Sequence, residues 1–276
     1  MAAAVGFDRW LAAGLLGPVL LFVLVRSLSY LRRLRQPDRP WDEEMHRRGA
    51  TMLLAQPLRQ WFAYVVRPLV DRLAGGPSPD TLTGLCLGLS VAAAGLVASG
   101  MLATGSAVAL LGASLDYFDG KVARRRGVTN QAGNFLDSTL DRWSEVALFT
   151  GAALLLRRFP VALAACVVGQ GASLIVSYAR AKAESLSLPL RGGLMQRPER
   201  LVLFCGGGLL APYLDLVLPA RWGPWILFRT AVVVLGAATT FTAASRTLQG
   251  YRALRRAPEP GSRPVAAGPD GGRPPV

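Results

Sequence analysis

Seven apolar runs, separated by short basic or polar stretches, dominate this chain, at roughly residues 9–29, 80–101, 105–124, 133–156, 159–183, 200–219 and 224–246. Each has about the length that a helix needs to cross the ~30 Å hydrocarbon layer of a bilayer. Several carry charge at one end, which predicts helices that face lipid over only part of their surface. Between the first and second runs the chain is rich in arginine and contains Trp41, Trp61, Phe62 and Tyr64. Within it, Pro57 to Leu73 places apolar residues at helical spacing beside Arg59, Arg67 and Arg72. That pattern predicts an amphipathic helix lying in the membrane interface. The expected fold class is all-α integral membrane, with a six-helix transmembrane core, the interfacial helix ahead of it and an extra N-terminal membrane helix. Three regions follow: an N-terminal membrane helix with a basic linker over 1–56, a membrane domain over 57–250, and a Pro/Gly-rich tail over 251–276, expected to be disordered.

Composition supports a membrane location. The chain has 276 residues, 51% hydrophobic and 17% charged, and the two kinds are segregated into blocks instead of interleaved. Its net charge of +14 raises the question of nucleic acid. The basic residues flank apolar runs and form no face with aromatics between them, so nucleic acid is excluded as a partner and membrane lipids are favoured. Cys86, Cys166 and Cys205 all lie inside apolar runs without metal-ligand spacing, and His46 is the only histidine, which argues against histidine metal sites and triads. The first apolar run follows Arg9 and precedes Arg26 to Arg35 with no small-residue cleavage site, which predicts an uncleaved helix. If residues 26–79 are cytoplasmic, that side also receives Lys121 to Arg126, the 180–200 loop and the tail, and the opposite connections hold only Arg157, Arg158 and Arg221. The positive-inside rule then predicts a multi-pass protein of the cytoplasmic membrane whose active site faces the cytoplasm.

Carboxylates are the outliers that carry the chemistry. Asp116 and Asp119 end one apolar run, and Asp137, Asp141 and Glu145 lie near the start of the next. Spacings of three and four residues put such side chains on one helix face. A tight turn at Arg125 to Gln131 brings the two acidic faces together. Grouped aspartates repel one another unless a counter-charge intervenes, and a hard divalent cation such as Mg²⁺ matches carboxylate oxygens and leaves positions open for phosphate. Salt bridges to Arg124, Arg125, Arg126 and Arg142 are the structural alternative.

Asp116-Tyr-Phe-Asp119-Gly120-Lys-Val-Ala123-Arg124, followed after eight residues by Gly133-Asn-Phe-Leu-Asp137-Ser-Thr-Leu-Asp141, fits D-x2-D-G-x2-A-R-x8-G-x3-D-x3-D at every fixed position. On these residues the chain resembles the CDP-alcohol phosphotransferases, over about residues 57–250. The resemblance implies transfer of a substituted phosphate group, such as phosphatidyl, from a CDP-linked lipid such as CDP-diacylglycerol to an alcohol hydroxyl, releasing CMP in phospholipid biosynthesis. It implies that Asp116, Asp119 and Asp137 ligate a two-Mg²⁺ centre, with Asp141 contributing and Mn²⁺ able to substitute. Asp141 is implied as the general base. Asp80, Thr83, Asp116, Gly120, Ala123, Arg124 and Gly133 are implied to line the CDP site, and a homodimer is implied. Small residues at 120, 123 and 133 let a nucleotide or a neighbouring helix approach the backbone, as either reading requires. Pro79-Asp80-x-x-Thr83 also reads as an ordinary helix N-cap.

A second basic cluster bears on the acceptor. Arg180 and Lys182 end one span, and Gln196-Arg197-Pro-Glu199-Arg200 opens the next. Together with Phe135 to Arg142, this looks like the prokaryotic phosphatidylinositol-phosphate synthases. That likeness implies that Arg180, Lys182 and Arg200 bind the phosphate of inositol 1-phosphate. Arg180-Ala-Lys182 reverses the usual Lys-x-Arg order, and glycerol 3-phosphate or another polar alcohol is the rival acceptor. A cation transporter is the alternative outside enzymes. It explains buried aspartates but not the Gly, Ala and Arg fixed between them, and no broken helices mark corresponding halves of the chain.

Overall fold

A computed structural model describes residues 2–34, 56–73, 75–128, 130–188 and 193–256, and these fold almost entirely into α-helices. They are α1 (Ala2–Leu34), α2 (Gln56–Leu73), α3 (Pro79–Ala98), α4 (Leu102–Arg126), α5 (Gln131–Leu155), α6 (Pro160–Ser185), α7 (Arg197–Leu214) and α8 (Ile226–Arg256). Short 3₁₀ turns at Leu156–Arg158 and Ala220–Trp222 join α5 to α6 and α7 to α8. All seven apolar runs and the amphipathic segment become helices. Four stretches, Gly6–Leu34, Pro79–Ala98, Pro160–Ser185 and Ala220–Arg255, are long and apolar enough to cross a bilayer. The carboxylate-bearing helices α4 and α5 do not meet that measure, because charge interrupts their apolar surface.

Helix ends are set by local chemistry. Ser78 caps α3, its Oγ accepting from Thr81 N–H at 3.1 Å, with Pro79 at the first helical position. The cap is therefore Ser78 and not Asp80, which lies in the first turn. Gly127, left-handed at φ 65°, ends α4, and Asn130 opens α5 by accepting from Gly133 N–H at 2.6 Å. Only glycine enters that left-handed well without steric penalty, so the expected tight turn forms there. Residues 251–256 continue α8, and Arg252 and Arg255 in its last turns favour the helix C-terminus electrostatically. Residues 257–276 and the linker from 35 to 55 lie outside the described residues.

Helices α3 to α8 pack up and down around one apolar core. Phe149, Phe204 and Phe228, from α5, α7 and α8, meet in tilted and edge-to-face contacts at 6.1 and 5.2 Å. Val97, Leu102, Leu156, Val232 and Leu235 complete its centre. Small residues allow close crossings: a Cβ at Gly169 of α6 would sit 2.9 Å from Gly236 Cα of α8. The three cysteines are buried and free.

Contacts at both ends of α1 tie α1 and α2 to this bundle and to each other. Asp8 is buried, and its carboxylate accepts from Ala103 N–H at 2.9 Å and Thr104 N–H at 2.8 Å. It thereby caps α4, whose own N-cap residue, Met101, supplies no side-chain bond. At the other end, Arg26 donates to Tyr64 O at 3.0 Å and lies 4.3 Å over the Tyr64 ring, and Trp61 donates to Ser27. Val66 and Val70 of α2 pack on Phe118 of α4, and Arg126 donates to Leu73 O.

Candidate active site

One end of the bundle collects the start of α3, the end of α4, the start of α5, the ends of α6 and α8, and the start of α7. The up-and-down order dictates this grouping, because alternate helix ends share a side. Asp116 and Asp119 come from the last turns of α4, and Asp137 and Asp141 from the first turns of α5. One carboxylate oxygen from each of Asp116, Asp119 and Asp137 lies within 4.8 Å of the others. Three hard oxygen donors at such spacing fit a divalent cation. Asp119 is oriented from two sides: Thr83 Oγ1 donates to its Oδ2 at 2.7 Å, and Gly120 N–H donates to its Oδ1 at 2.5 Å.

Beside the cluster lies an open cleft of about 670 Å³. Asp80, Thr83, Asp119, Gly120, Ala123, Arg124, Gly133 and Asp137 form part of its wall, whereas Asp116 and Asp141 of the signature lie outside that lining. Gly120 and Gly133 keep that wall low: a Cβ at Gly133 would meet Asn130 Oδ1 at 3.3 Å and Asp80 Oδ1 at 3.8 Å.

The counter-charge comes from an arginine that sequence analysis left outside the site. Arg197, at the start of α7, places Nη1 2.5 Å from Asp116 Oδ2 and Nη2 2.6 Å from Asp141 Oδ1. Of the arginines weighed as structural partners, Arg125 pairs with Asp71, Arg126 donates to Leu73 and Gly76 carbonyls, Arg142 lies 3.7 Å from Glu145, and Arg124 lines the cleft. One turn beyond Arg197, buried Arg200 donates to Glu145 Oε1 at 2.5 Å, and Ser173 donates to Glu145 Oε2 at 2.6 Å. Arg197/Arg200 on α7 thus face Asp141/Glu145 on α5 as two rungs. The i,i+3 and i,i+4 spacings were visible in the sequence, but their pairing was not.

The expected acceptor residues do not all behave alike. Arg180 is largely exposed and pairs with Glu184 of its own helix at 2.9 Å, and Lys182 is exposed beside it. Arg200 is 4% exposed and already bonded to Glu145 and to Met195 O. Arg246 of α8 lies where the guanidiniums of both Arg180 and Arg200 act on it. It donates to Val176 O at 3.2 Å. Its signal in the sequence is weak: Arg246 lies on one face with Thr239 and Thr242, but α8 carries further polar residues on its other faces.

Residues 77–242 match the CDP-alcohol phosphatidyltransferase family. The archaetidylinositol phosphate synthase of Methanothermobacter thermautotrophicus is 35% identical over 69% of this chain and 90% of its own length. The phosphatidylinositol phosphate synthase of Mycobacteroides abscessus is 32% identical over 64% and 83%. Among solved structures, the phosphatidylinositol phosphate synthase of Mycobacterium tuberculosis with CDP-DAG bound superposes with a TM-score of 0.59 at 29% identity, covering 67% of this chain and 92% of that one. A second structure of that enzyme, in complex with manganese and citrate, gives the same TM-score and identity. Fold, carboxylate cluster and cleft define a membrane transferase that works on CDP-linked substrates. The chain belongs to the CDP-alcohol phosphatidyltransferase family, and it is a phosphotransferase for substituted phosphate groups in phospholipid biosynthesis.

Proposed function

We propose that this enzyme transfers a phosphatidyl-type group from a CDP-linked lipid such as CDP-diacylglycerol to a hydroxyl of inositol 1-phosphate, releasing CMP. The observation that carries the proposal is a cleft lined by Thr83, Gly120, Ala123, Arg124 and Gly133 and opening on Asp119 and Asp137. In it, Asp80, Thr83, Gly120, Ala123, Arg124 and Gly133 receive the CDP moiety beside Asp116. Asp116, Asp119 and Asp137, with Asp141 at their edge, hold Mg²⁺, for which Mn²⁺ can substitute. The bound metals supply charge neutralisation for the donor's pyrophosphate. The protein's own part is to fix geometry. Thr83 and Gly120 orient Asp119, the low glycine wall admits the nucleotide, and Asp141 takes the proton from the attacking hydroxyl.

The acceptor assignment rests on the named relatives and on the arginines that α6, α7 and α8 bring to this end of the bundle. Arg246 joins Arg180 and Lys182 as a contact for the acceptor phosphate, and Arg200 anchors the floor of that pocket through Glu145. Glycerol 3-phosphate is the competing phosphorylated alcohol. Helices α3 to α8 form the six-helix transmembrane core, with the active site on the cytoplasmic face of the cytoplasmic membrane and the enzyme acting as a homodimer. The test is CMP release by purified protein from CDP-diacylglycerol against inositol 1-phosphate, glycerol 3-phosphate, serine and inositol. Turnover with glycerol 3-phosphate alone would reject inositol phosphate as acceptor.

A further inference from the structure

Asp116 faces two competing demands in this fold. One of its oxygens belongs to the three-carboxylate cluster suited to a divalent cation. Its Oδ2 also accepts from Arg197 Nη1 at 2.5 Å, and the other terminal nitrogen of the same guanidinium reaches Asp141 Oδ1 at 2.6 Å. Arg197 therefore spans two helices, tying the end of α4 to the start of α5 from its own place at the first position of α7. It is a partly buried group: its side chain is 27% exposed, and those of Asp116 and Asp141 are 19% and 13% exposed. A planar guanidinium held by two carboxylates at these distances is a strong charge-assisted pairing.

We infer that Arg197 is an exchangeable counter-ion, a latch that bridges Asp116 and Asp141 when the centre lacks metal and gives up both carboxylates when a divalent cation binds. Converging aspartates need a cation to keep the helix ends together, and Arg197 is the described arginine that touches two of them. Once a dication takes Asp116, a guanidinium on the same carboxylate meets a like charge, and the bridge loses its favourable balance. The same bridge occupies Asp141, so the carboxylate assigned as base is engaged by Arg197 until the centre is loaded. Arg197 is in this sense a positioning residue: it couples loading of the metal to availability of Asp141. This inference rests on the metal-centre assignment proposed above.

The linkage can be read without turnover. A site that is competent only when a competing contact opens binds its ligand more weakly by the fraction of time it is open. A cation within about 4–6 Å biases a carboxylate's charge-dependent equilibria by roughly one to three powers of ten. Mn²⁺ binding to detergent-purified full-length protein, measured by electron paramagnetic resonance without donor, should therefore tighten about tenfold or more in Arg197→Gln. Arg142→Gln removes a guanidinium that also acts on Asp137 but pairs with Glu145, and it should change the affinity by less than about threefold. Melting temperature supplies the second readout. Arg197→Gln should melt below wild type when metal-free and level with wild type at saturating Mn²⁺. Arg197→Lys, which can serve one carboxylate at a time, should fall between in both measurements, and it replaces Arg197→Gln if that variant cannot be purified metal-free. Equal effects of Arg197→Gln and Arg142→Gln would reduce the result to general electrostatics and overturn the latch. An equal melting loss with and without Mn²⁺ would make Arg197 a permanent structural pair, again overturning it. Failure of the wild type to bind Mn²⁺ at all would instead reject the metal-centre assignment on which the latch depends.

Discussion

Arg200 Nη2 lies 2.5 Å from Glu145 Oε1, a buried ion pair that joins α7 to α5 directly beneath the carboxylate centre. Ser173 donates to the other oxygen of the same carboxylate, so the pair is fastened to α6 as well. Buried pairs of this kind contribute little net stability, but removing one partner strands a charge and costs about 3–5 kcal/mol. A residue so engaged supports a binding pocket and is poorly placed to serve as a freely reaching phosphate ligand.

Arg200 and Arg246 are therefore expected to separate. Arg246→Ala should raise the acceptor KM about tenfold to a hundredfold, the loss of one charge-assisted contact of about 1.5–3 kcal/mol, and leave the donor KM nearly unchanged. Arg200→Ala should lower the melting temperature as well as raise the acceptor KM, because Glu145 loses its nearest cation and keeps only Ser173 and the more distant Arg142. Steady-state kinetics with each substrate varied, alongside thermal melts, checks both. An unchanged acceptor KM in Arg246→Ala would remove that residue from the pocket.

Chelation should abolish CMP release, and Mg²⁺ or Mn²⁺ should restore it. Asp116→Asn, Asp119→Asn and Asp137→Asn should each lose most turnover, since each removes charge from one shared ligand set. Thr83→Val should act on the same centre more mildly. Losing the 2.7 Å bond to Asp119 is expected to raise the Mg²⁺ concentration needed for half-maximal rate by about tenfold.

Asp141→Asn should lower kcat by a factor on the order of 10² to 10⁴ if Asp141 is the base. Donor KM should move far less, because Asp116, Asp119 and Asp137 remain. A rate loss carried mainly by donor KM would return Asp141 to the metal ligands.

Asp8→Ala should destabilise the protein by about 1–2 kcal/mol, the range for loss of a helix N-cap, and separate α1 from the start of α4. Asp8→Asn keeps one acceptor and should recover part of that loss. Thermal melts of both variants decide whether α1 is held by this carboxylate.

For topology, single cysteines at Leu194 and Val217 of a cysteine-free variant should react with an impermeant thiol reagent from opposite sides of the membrane, Leu194→Cys from the cytoplasm. The reverse pattern would put the catalytic face on the other side.

Much of this protein is written in one-dimensional pattern. Apolar runs of spanning length, broken by arginines, determined where the helices lie, because a bilayer leaves few other ways to satisfy the backbone, though the first and last helices run five to ten residues past their apolar runs. The spacing of Asp116, Asp119, Asp137 and Asp141 around one glycine-closed turn was enough to bring their helix faces together, since a turn of a few residues leaves adjacent helix ends side by side. Contacts between helices distant in sequence depended on the tertiary structure. Arg197 meets Asp116 across 81 residues, and Asp8 caps Ala103 across 95. No local periodicity encodes such pairs, and an arginine at a helix start reads equally as a membrane anchor. Which cation pairs with Asp116 and Asp141 and which arginine is buried beneath them were decided by packing, through the depth and facing of each helix in the bundle.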